Sequence, residues 1–475
     1  MSGLHCSSAQ IVHPTGLRDA LDALAARRIT ATALTEQALE RAEACKQSLN
    51  AFAAIDWDRA LKAAAESERR YGENRQRRLE GLPIAIKDLI DTKGIETRYG
   101  SAACLGHVPR ADADIVKALM EQGAIVIGKT TTHEFAWGVT TASDRFGDTL
   151  NPLDRTRIPG GSSGGAAAAI AHGAVIAGVG TDTGGSVRIP AALCGVVGFK
   201  PTFGALPSGG VFPLAPSCDH VGLLGKKVDD VAMLAATFHI DLPESDAWLS
   251  ARLGIIREIA PVPLSQEIAS AFDSAIEQLE QTFACVQAGT SGLFDTVYQA
   301  FANIVLIEGG IEHFRRSDWD VIAAHYSAET IERLRRAETM DLRAYSASQQ
   351  TGRKFAANLR EVMSDFDYLV LPTCPCVAPH VDVDTVSIGG WTGTVREALM
   401  TYTAPFNVAG FPSISIPLPT RDGILPAALQ IVAKPGDDGA LLQIAHQIEL
   451  ILHLGSPGRV ISEDIQQGEQ GERYR

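Results

Sequence analysis

Two serine-bearing glycine clusters, GGSSGG at 160–165 and TGGS at 183–186, close the two ends of one small-residue segment. Glycine inside regular structure costs about 0.5–1 kcal/mol relative to alanine, so this density points to a need for bare backbone. In the second cluster Thr183, Gly184 and Gly185 lead directly into Ser186. Glycines let successive amide N–H groups converge on one point without side-chain obstruction, and such a turn can hold an oxyanion. Ser186 is therefore a candidate nucleophile, with the amides of Thr183, Gly184, Gly185 and Ser186 as candidate oxyanion donors. A serine hydroxyl attacks poorly until a base removes its proton. Lysine can be that base where burial disfavours its charged form. The string GLPIAIKDLID at 81–91 sets Lys87 at the end of an apolar run expected to form a strand. A half-buried lysine paired with Asp88 or Asp91 fits the same string.

Other strings match motifs but lack the context those motifs need. GAIVIGKT at 123–130 has the P-loop spelling. Its AIVI centre is a β-branched apolar strand rather than a loop whose amides could cradle phosphate. GGSSGG contains the nucleophile-elbow pattern GxSxG centred on both Ser162 and Ser163. An elbow follows a strand and needs a histidine and an acid, whereas NPLDRTRIPG before it is loop-like, which disfavours an α/β-hydrolase esterase. His133-Glu134 lacks the second histidine of a zinc motif, and HVDVD at 380–384 alternates as a surface strand does. No metal is required.

The elements that must position these residues follow from periodicity. Residues 15–70 carry helical spacing (LRDALDALAARR, TATALTEQALERAEA). The basic run ERRYGENRQRR at 68–78 is expected to be a solvated loop. From residue 79, short apolar runs (LPIAI, AIVIG) alternate with amphipathic stretches (ADIVKALMEQG), which implies an α/β fold with a mixed or largely parallel sheet. After 230 the helices lengthen (SQEIASAFDSAIEQLEQTF, RKFAANLREVMSDF), and YLVLP, SISIPL and ALQIVA remain as strands that can rejoin that sheet. The expectation is one large α/β/α domain. A helical region at 1–78 packs on a core at 79–230, 231–463 completes the fold and lines the pocket, and 464–475 forms a polar tail.

A formal net charge of -14 argues against a phosphate-binding surface, hence against nucleic acid as partner. The 8 cysteines show no zinc-type spacing, and reduced thiols in a cytoplasmic protein are expected. No basic, then apolar, leader opens the sequence. The longest weakly polar run, 166–180, contains His172 and falls short of the ~20 apolar residues that span a bilayer.

Taken together, Lys87, Ser162 and Ser186 resemble the catalytic triad of the amidase signature family. GLPIAIKDLID, PGGSSGG, DTGGSVRIPA and CGVVGFKPTFG occur in order, with weaker echoes in DYLVLPT and YTAPFNVAGFPSISIP. The resemblance implies an amidase signature fold with a central mixed sheet flanked by helices. It further implies that Ser186 is the nucleophile, Ser162 a bridging serine after a cis peptide bond, and Lys87 a neutral base. Ser163, Asp182 and Arg188 match supporting positions, and Ala136 and Trp137 match a segment lining the acyl pocket. Ala166 and GLLGKKVDD depart from the commoner pattern without touching the triad. The implied activity is cofactor-free hydrolysis of carbon–nitrogen bonds in small amides, with carbamates (urethanes), ureas or anilides as variants. Two alternatives stand beside it: the glutaminase subunit of a tRNA-dependent amidotransferase, and a non-catalytic scaffold that keeps the fold. The partner expected is a small-molecule amide or carbamate, with neither nucleic acid nor membrane, and a homodimer fits.

Overall fold

The computed structural model describes residues 14–419 and 423–454, so the expected tail at 464–475 lies outside the described residues. In chain order the strands are β1 (Phe52–Ile55), β2 (Pro83–Lys87), β3 (Ile125–Thr130), β4 (Ala177–Asp182), β5 (Val197–Lys200) and β6 (His220–Gly225). The second half adds β7 (Arg252–Ile255), β8 (Ala284–Gln287), β9 (Tyr368–Pro372), β10 (Thr385–Ile388), β11 (Trp391–Thr394), β12 (Ser413–Pro417) and β13 (Ala428–Val432). Eleven of them form one sheet in the order β1-β3-β2-β4-β6-β5-β12-β13-β9-β7-β8, and β10 and β11 make a separate hairpin. The sheet is mixed. β2 runs parallel to β3 and β4, β6, β5, β12, β13 and β9 alternate antiparallel, and β7 is parallel to β8 and β9. Strands from before and after residue 230 thus share one sheet, with helices on its faces: an α/β fold with a central mixed sheet.

The topology places the chemistry. β2 and β4 are parallel neighbours, in register from Ile84 opposite Ala177 to Ile86 opposite Val179. Their carboxyl ends, Lys87 and Asp182, therefore emerge on the same edge, where open α/β sheets bind ligands. The helix Gly164–His172 reads GGAAAAIAH, and its residues 164–170 are all buried. Methyl-sized side chains let it lie close to its neighbours. A Cβ on Gly165 would stand 2.4 Å from Thr131 Oγ1 and 2.5 Å from the Thr131 backbone nitrogen. Backbone cannot yield as a side-chain tip can, so Gly165→Ala is expected to cost about 1–3 kcal/mol by overpacking. The urea midpoint reads this, and an unchanged midpoint would show that the helix can move away.

Two local expectations are revised. The helix Trp57–Gly72 runs through the first half of the basic string, its last turn carrying Arg69 and Arg70, and only 73–78 is an exposed loop. The arginines there continue the helix because Glu66 and Glu73 pair with Arg69 across single turns. HVDVD is a turn. After one bridge from His380 to Arg157 the chain finds no partner strand until β10 begins at Thr385. The GAIVIGKT string is, as expected, the buried strand β3, and Lys129 donates to Ile90 O and to the hydroxyls of Thr92 and Thr97, which leaves no cradle for phosphate.

Candidate active site

Lys87 is the last residue of β2 and is fully buried. Its Nζ donates to Ser162 Oγ and to Thr181 Oγ1, each at 2.7 Å. Neither Asp88 nor Asp91 pairs with it. Asp88 accepts from the Arg98 amide, and Asp91 accepts from the Tyr99 hydroxyl at 2.7 Å. Burial pushes the Lys87 ammonium down to about 7, with the more distant Asp182 and Asp219 carboxylates opposing the shift. A neutral amine in hydrogen-bond contact with a serine hydroxyl can accept that serine's proton.

The peptide bond between Gly161 and Ser162 is cis, and Ser162 and Ser163 are both fully buried. Ser163 ties the two serine clusters together. Its N–H donates to Ser186 O at 3.1 Å, and its Oγ donates to Thr181 O at 3.1 Å while accepting from the Thr181 amide at 3.3 Å. The triplet Ser162, Ser163 and Ser186 is thereby held against the end of β4. Gly185 has φ 128, and a Cβ there would stand 2.2 Å from Thr403 Oγ1, which excludes other residues on both conformational and spatial grounds.

One expectation about the oxyanion donors narrows. The Gly185 amide donates to Asp182 Oδ1 at 2.7 Å, so it is committed to holding the turn. The amides of Thr183, Gly184 and Ser186 remain for a developing negative charge.

Asp182 and Arg188 form the structural hub beneath this turn. Both side chains are fully buried, and the guanidinium grips the carboxylate twice, Nε to Oδ2 at 3.0 Å and Nη2 to Oδ1 at 2.9 Å. The remaining guanidinium donors reach Thr403 O at 3.0 Å, Gln430 Oε1 at 2.6 Å and Asn407 Oδ1 at 2.6 Å. Burial alone would raise the Asp182 carboxyl. The Arg188 guanidinium and the amide donors outweigh it and hold the group well below the usual carboxylate range. Asp182 Oδ2 also accepts the Val187 amide at 3.1 Å, so the ion pair fixes the backbone on both sides of Ser186.

Trp137 is buried, stacked at 5.7 Å on His313. Its ring would meet a Cβ on Gly309 at 2.8 Å, so it packs against the helix Val297–Phe314. Ala136 is buried beside it with φ 59. A cavity of about 240 Å³ is lined among others by Thr181, which Lys87 touches, and by Thr183, Phe203, Leu206, Phe212 and Asp219. Among the described residues no three His, Cys, Asp or Glu side chains gather as a metal site, and no helix is long and apolar enough to cross a membrane.

Sequence reasoning missed Thr181, Asp219, Thr403, Asn407 and Gln430. Thr181 shares Lys87 with Ser162, and Asp219 Oδ1 accepts the Thr183 hydroxyl at 2.6 Å. Thr403 and Asn407 lie in YTAPFNVAGFP, a string whose likeness to the family was visible but whose contact with Arg188 spans more than 200 positions.

The amidase family pattern matches residues 33–442. A glutamyl-tRNA(Gln) amidotransferase subunit from Chloroflexus aurantiacus is 34% identical over 91% of this chain and 96% of that protein. A crystal structure of an amidase superposes with TM-score 0.83 at 32% identity, over 92% of this chain and 100% of that one. A 6-aminohexanoate cyclic dimer hydrolase solved with its substrate superposes with TM-score 0.81 at 26% identity, over 92% of this chain and 97% of that one. With four signature strings in order, an α/β sheet of the same build and a family match across most of its length, the chain belongs to the amidase signature family of carbon–nitrogen hydrolases.

Proposed function

We propose that this chain is a self-sufficient amidase that cleaves small amides, and by the same chemistry anilides, ureas and carbamates, through an acyl-enzyme on Ser186. The observation that carries the reading is Lys87, a fully buried lysine whose amine touches two hydroxyls and no carboxylate. As Ser186 Oγ bonds to the substrate carbonyl carbon, its proton passes to Ser162 Oγ, whose own proton passes to Lys87 Nζ. The oxyanion rests on the amides of Thr183, Gly184 and Ser186. The relay then reverses: Lys87 returns its proton through Ser162 to the leaving nitrogen, the carbon–nitrogen bond breaks and the amine departs. Water, deprotonated by the same route, bonds to the acyl carbon, and the carbon–Oγ bond breaks with return of the proton to Ser186. Asp182, Arg188 and Ser163 position this relay without touching substrate.

The test is amine release by the purified chain from a panel of aliphatic amides, aryl anilides and aryl carbamates, followed against pH. The base is the neutral lysine, so protonation switches it off. The logarithm of kcat/KM is expected to rise with unit slope below about pH 7 and to level above it, following the pKa to which burial brings Lys87. A rate that falls across that interval removes Lys87 as the base.

A second reading, the glutaminase subunit of an amidotransferase, is favoured by the identity with the Chloroflexus protein. Ammonia released from glutamine only when partner chains and tRNA are added, with no turnover of anilides, would replace the first reading by this one.

A further inference from the structure

Two of the glycines in GGSSGG make room for one side chain. A Cβ on Gly164 would stand 2.3 Å from Thr141 Oγ1, and a Cβ on Gly161 would stand 2.8 Å from the same atom and 2.9 Å from the Thr141 backbone nitrogen. Thr141 is buried, and its Oγ1 donates to Gly160 O at 2.8 Å while accepting from the Gly164 amide at 3.2 Å. One hydroxyl thus bridges the two residues that flank Gly161, Ser162 and Ser163.

Thr141 adopts a backbone conformation that its residue type disfavours. Its φ is 60, in the left-handed region, where a β-branched residue is an outlier and glycine enters at no steric cost. Backbone fit alone would favour glycine there. What threonine adds is the hydroxyl, and strain of this kind persists where surrounding contacts over-determine it. Those contacts lead back to the sheet. The Thr149 amide donates to Thr141 O at 3.1 Å, and Thr149 Oγ1 lies 2.7 Å from Thr131 Oγ1. Thr131 directly follows β3, whose Thr130 lies opposite Lys87 of β2. The contact of 2.7 Å between Lys87 Nζ and Ser162 Oγ joins two separate elements, so its length depends on how the 160–164 segment is held against these strands.

We infer that Thr141 is a positioning residue for the relay: its hydroxyl fixes the 160–164 segment so that Ser162 Oγ stays within reach of Lys87 Nζ. The inference rests on the proposed relay and adds the group that keeps its middle member in place. Thr141 acts through the backbone of that segment and not on the substrate. Its loss weakens proton transfer through Ser162, which requires hydrogen-bond reach. That transfer matters most where the leaving group needs a proton. An anilide nitrogen departs only as the protonated amine, whereas a nitrophenolate departs as the anion.

The experiment measures kcat/KM for 4-nitroacetanilide and 4-nitrophenyl acetate, which carry the same acyl group, in the wild type and in three variants. Thr141→Val keeps the branched shape and removes the hydroxyl. Thr141→Gly removes the hydroxyl and takes the φ without strain, so it decides the matter if Thr141→Val does not fold. Thr141→Ser keeps the hydroxyl. In both hydroxyl-free variants the anilide value is expected to fall by about a hundredfold, the scale of a misplaced catalytic group, and the anilide-to-ester ratio by about tenfold or more. In Thr141→Ser the ratio is expected to stay within about threefold of the wild type, as rescue by the conserved hydroxyl requires. The ratio is internal to each variant, so partial loss of folded protein does not move it. A folded hydroxyl-free variant with the wild-type ratio overturns the inference and leaves the hydrolase reading standing. So does a ratio in Thr141→Ser as low as in the hydroxyl-free variants. A wild type that releases no nitroaniline overturns the hydrolase reading, and this inference with it.

Discussion

Ser186→Ala is expected to abolish amide hydrolysis, with kcat lowered by about 10⁴-fold or more while the fold stays intact. Loss of the attacking atom leaves only substrate binding and the oxyanion donors, and in serine hydrolases that remnant of catalysis is small. Ser186 is buried at 4% exposure, and its backbone oxygen, not its hydroxyl, accepts the Ser163 amide. Removing one hydroxyl oxygen therefore perturbs no structural bond described above. A fluorophosphonate probe, which phosphonylates an activated serine with loss of fluoride, is expected to modify Ser186 in the wild type and nothing in the variant. A label found instead on Ser162 or Ser163 would return the elbow mechanism and its need for a histidine. Absence of labelling together with absence of turnover would favour the scaffold alternative.

Arg188→Met is expected to destabilise the protein by about 3–5 kcal/mol, read as a lowered urea midpoint. The guanidinium is fully buried and satisfies Asp182, Thr403, Asn407 and Gln430 at once. Its removal leaves the Asp182 carboxylate buried without its cation, and that uncompensated charge accounts for most of the cost. Adding Asp182→Asn to Arg188→Met is expected to recover part of the loss, and the double-mutant cycle measures the coupling. The wild type carries a pH signature of the same pair. Asp182 has a folded pKa held below its unfolded value, so its contribution is complete above the ordinary carboxylate pKa of about 3.9 and is lost as pH falls through the folded value. In Arg188→Met that particular acid-side loss is expected to vanish. A variant as stable as the wild type would show that the hub is replaceable by packing alone.

The sequence made some of this readable and hid the rest for a physical reason. Strands β2, β3, β9, β12 and β13 were legible because runs such as PIAI and YLVLP are apolar throughout, as strands buried on both faces must be. Lys87, Ser162 and Ser186 were legible because glycine clusters and an apolar run mark them locally, and the ordered strings then matched a family. Thr181 was not legible, since a threonine in GVGTDT looks like any strand residue until Lys87 is beside it. Nor was the commitment of the Gly185 amide to Asp182, which depends on how the turn closes.

The hub around Arg188 also bears on how the protein is made. Lys87, Ser162 and Ser186 have all been synthesised by residue 186, yet the acceptors that hold Arg188 lie 215, 219 and 242 positions beyond it. Strand β13, which supplies Gln430, must pair with β12 and β9 before that acceptor is in place. A nascent chain stalled short of residue 430 thus carries every group of the proposed relay while its central arginine still lacks the Gln430 acceptor. Hydrolytic competence is therefore expected to arrive late and abruptly in translation, only once β13 has been made and paired, because contacts of such sequence separation form only after long loops have closed.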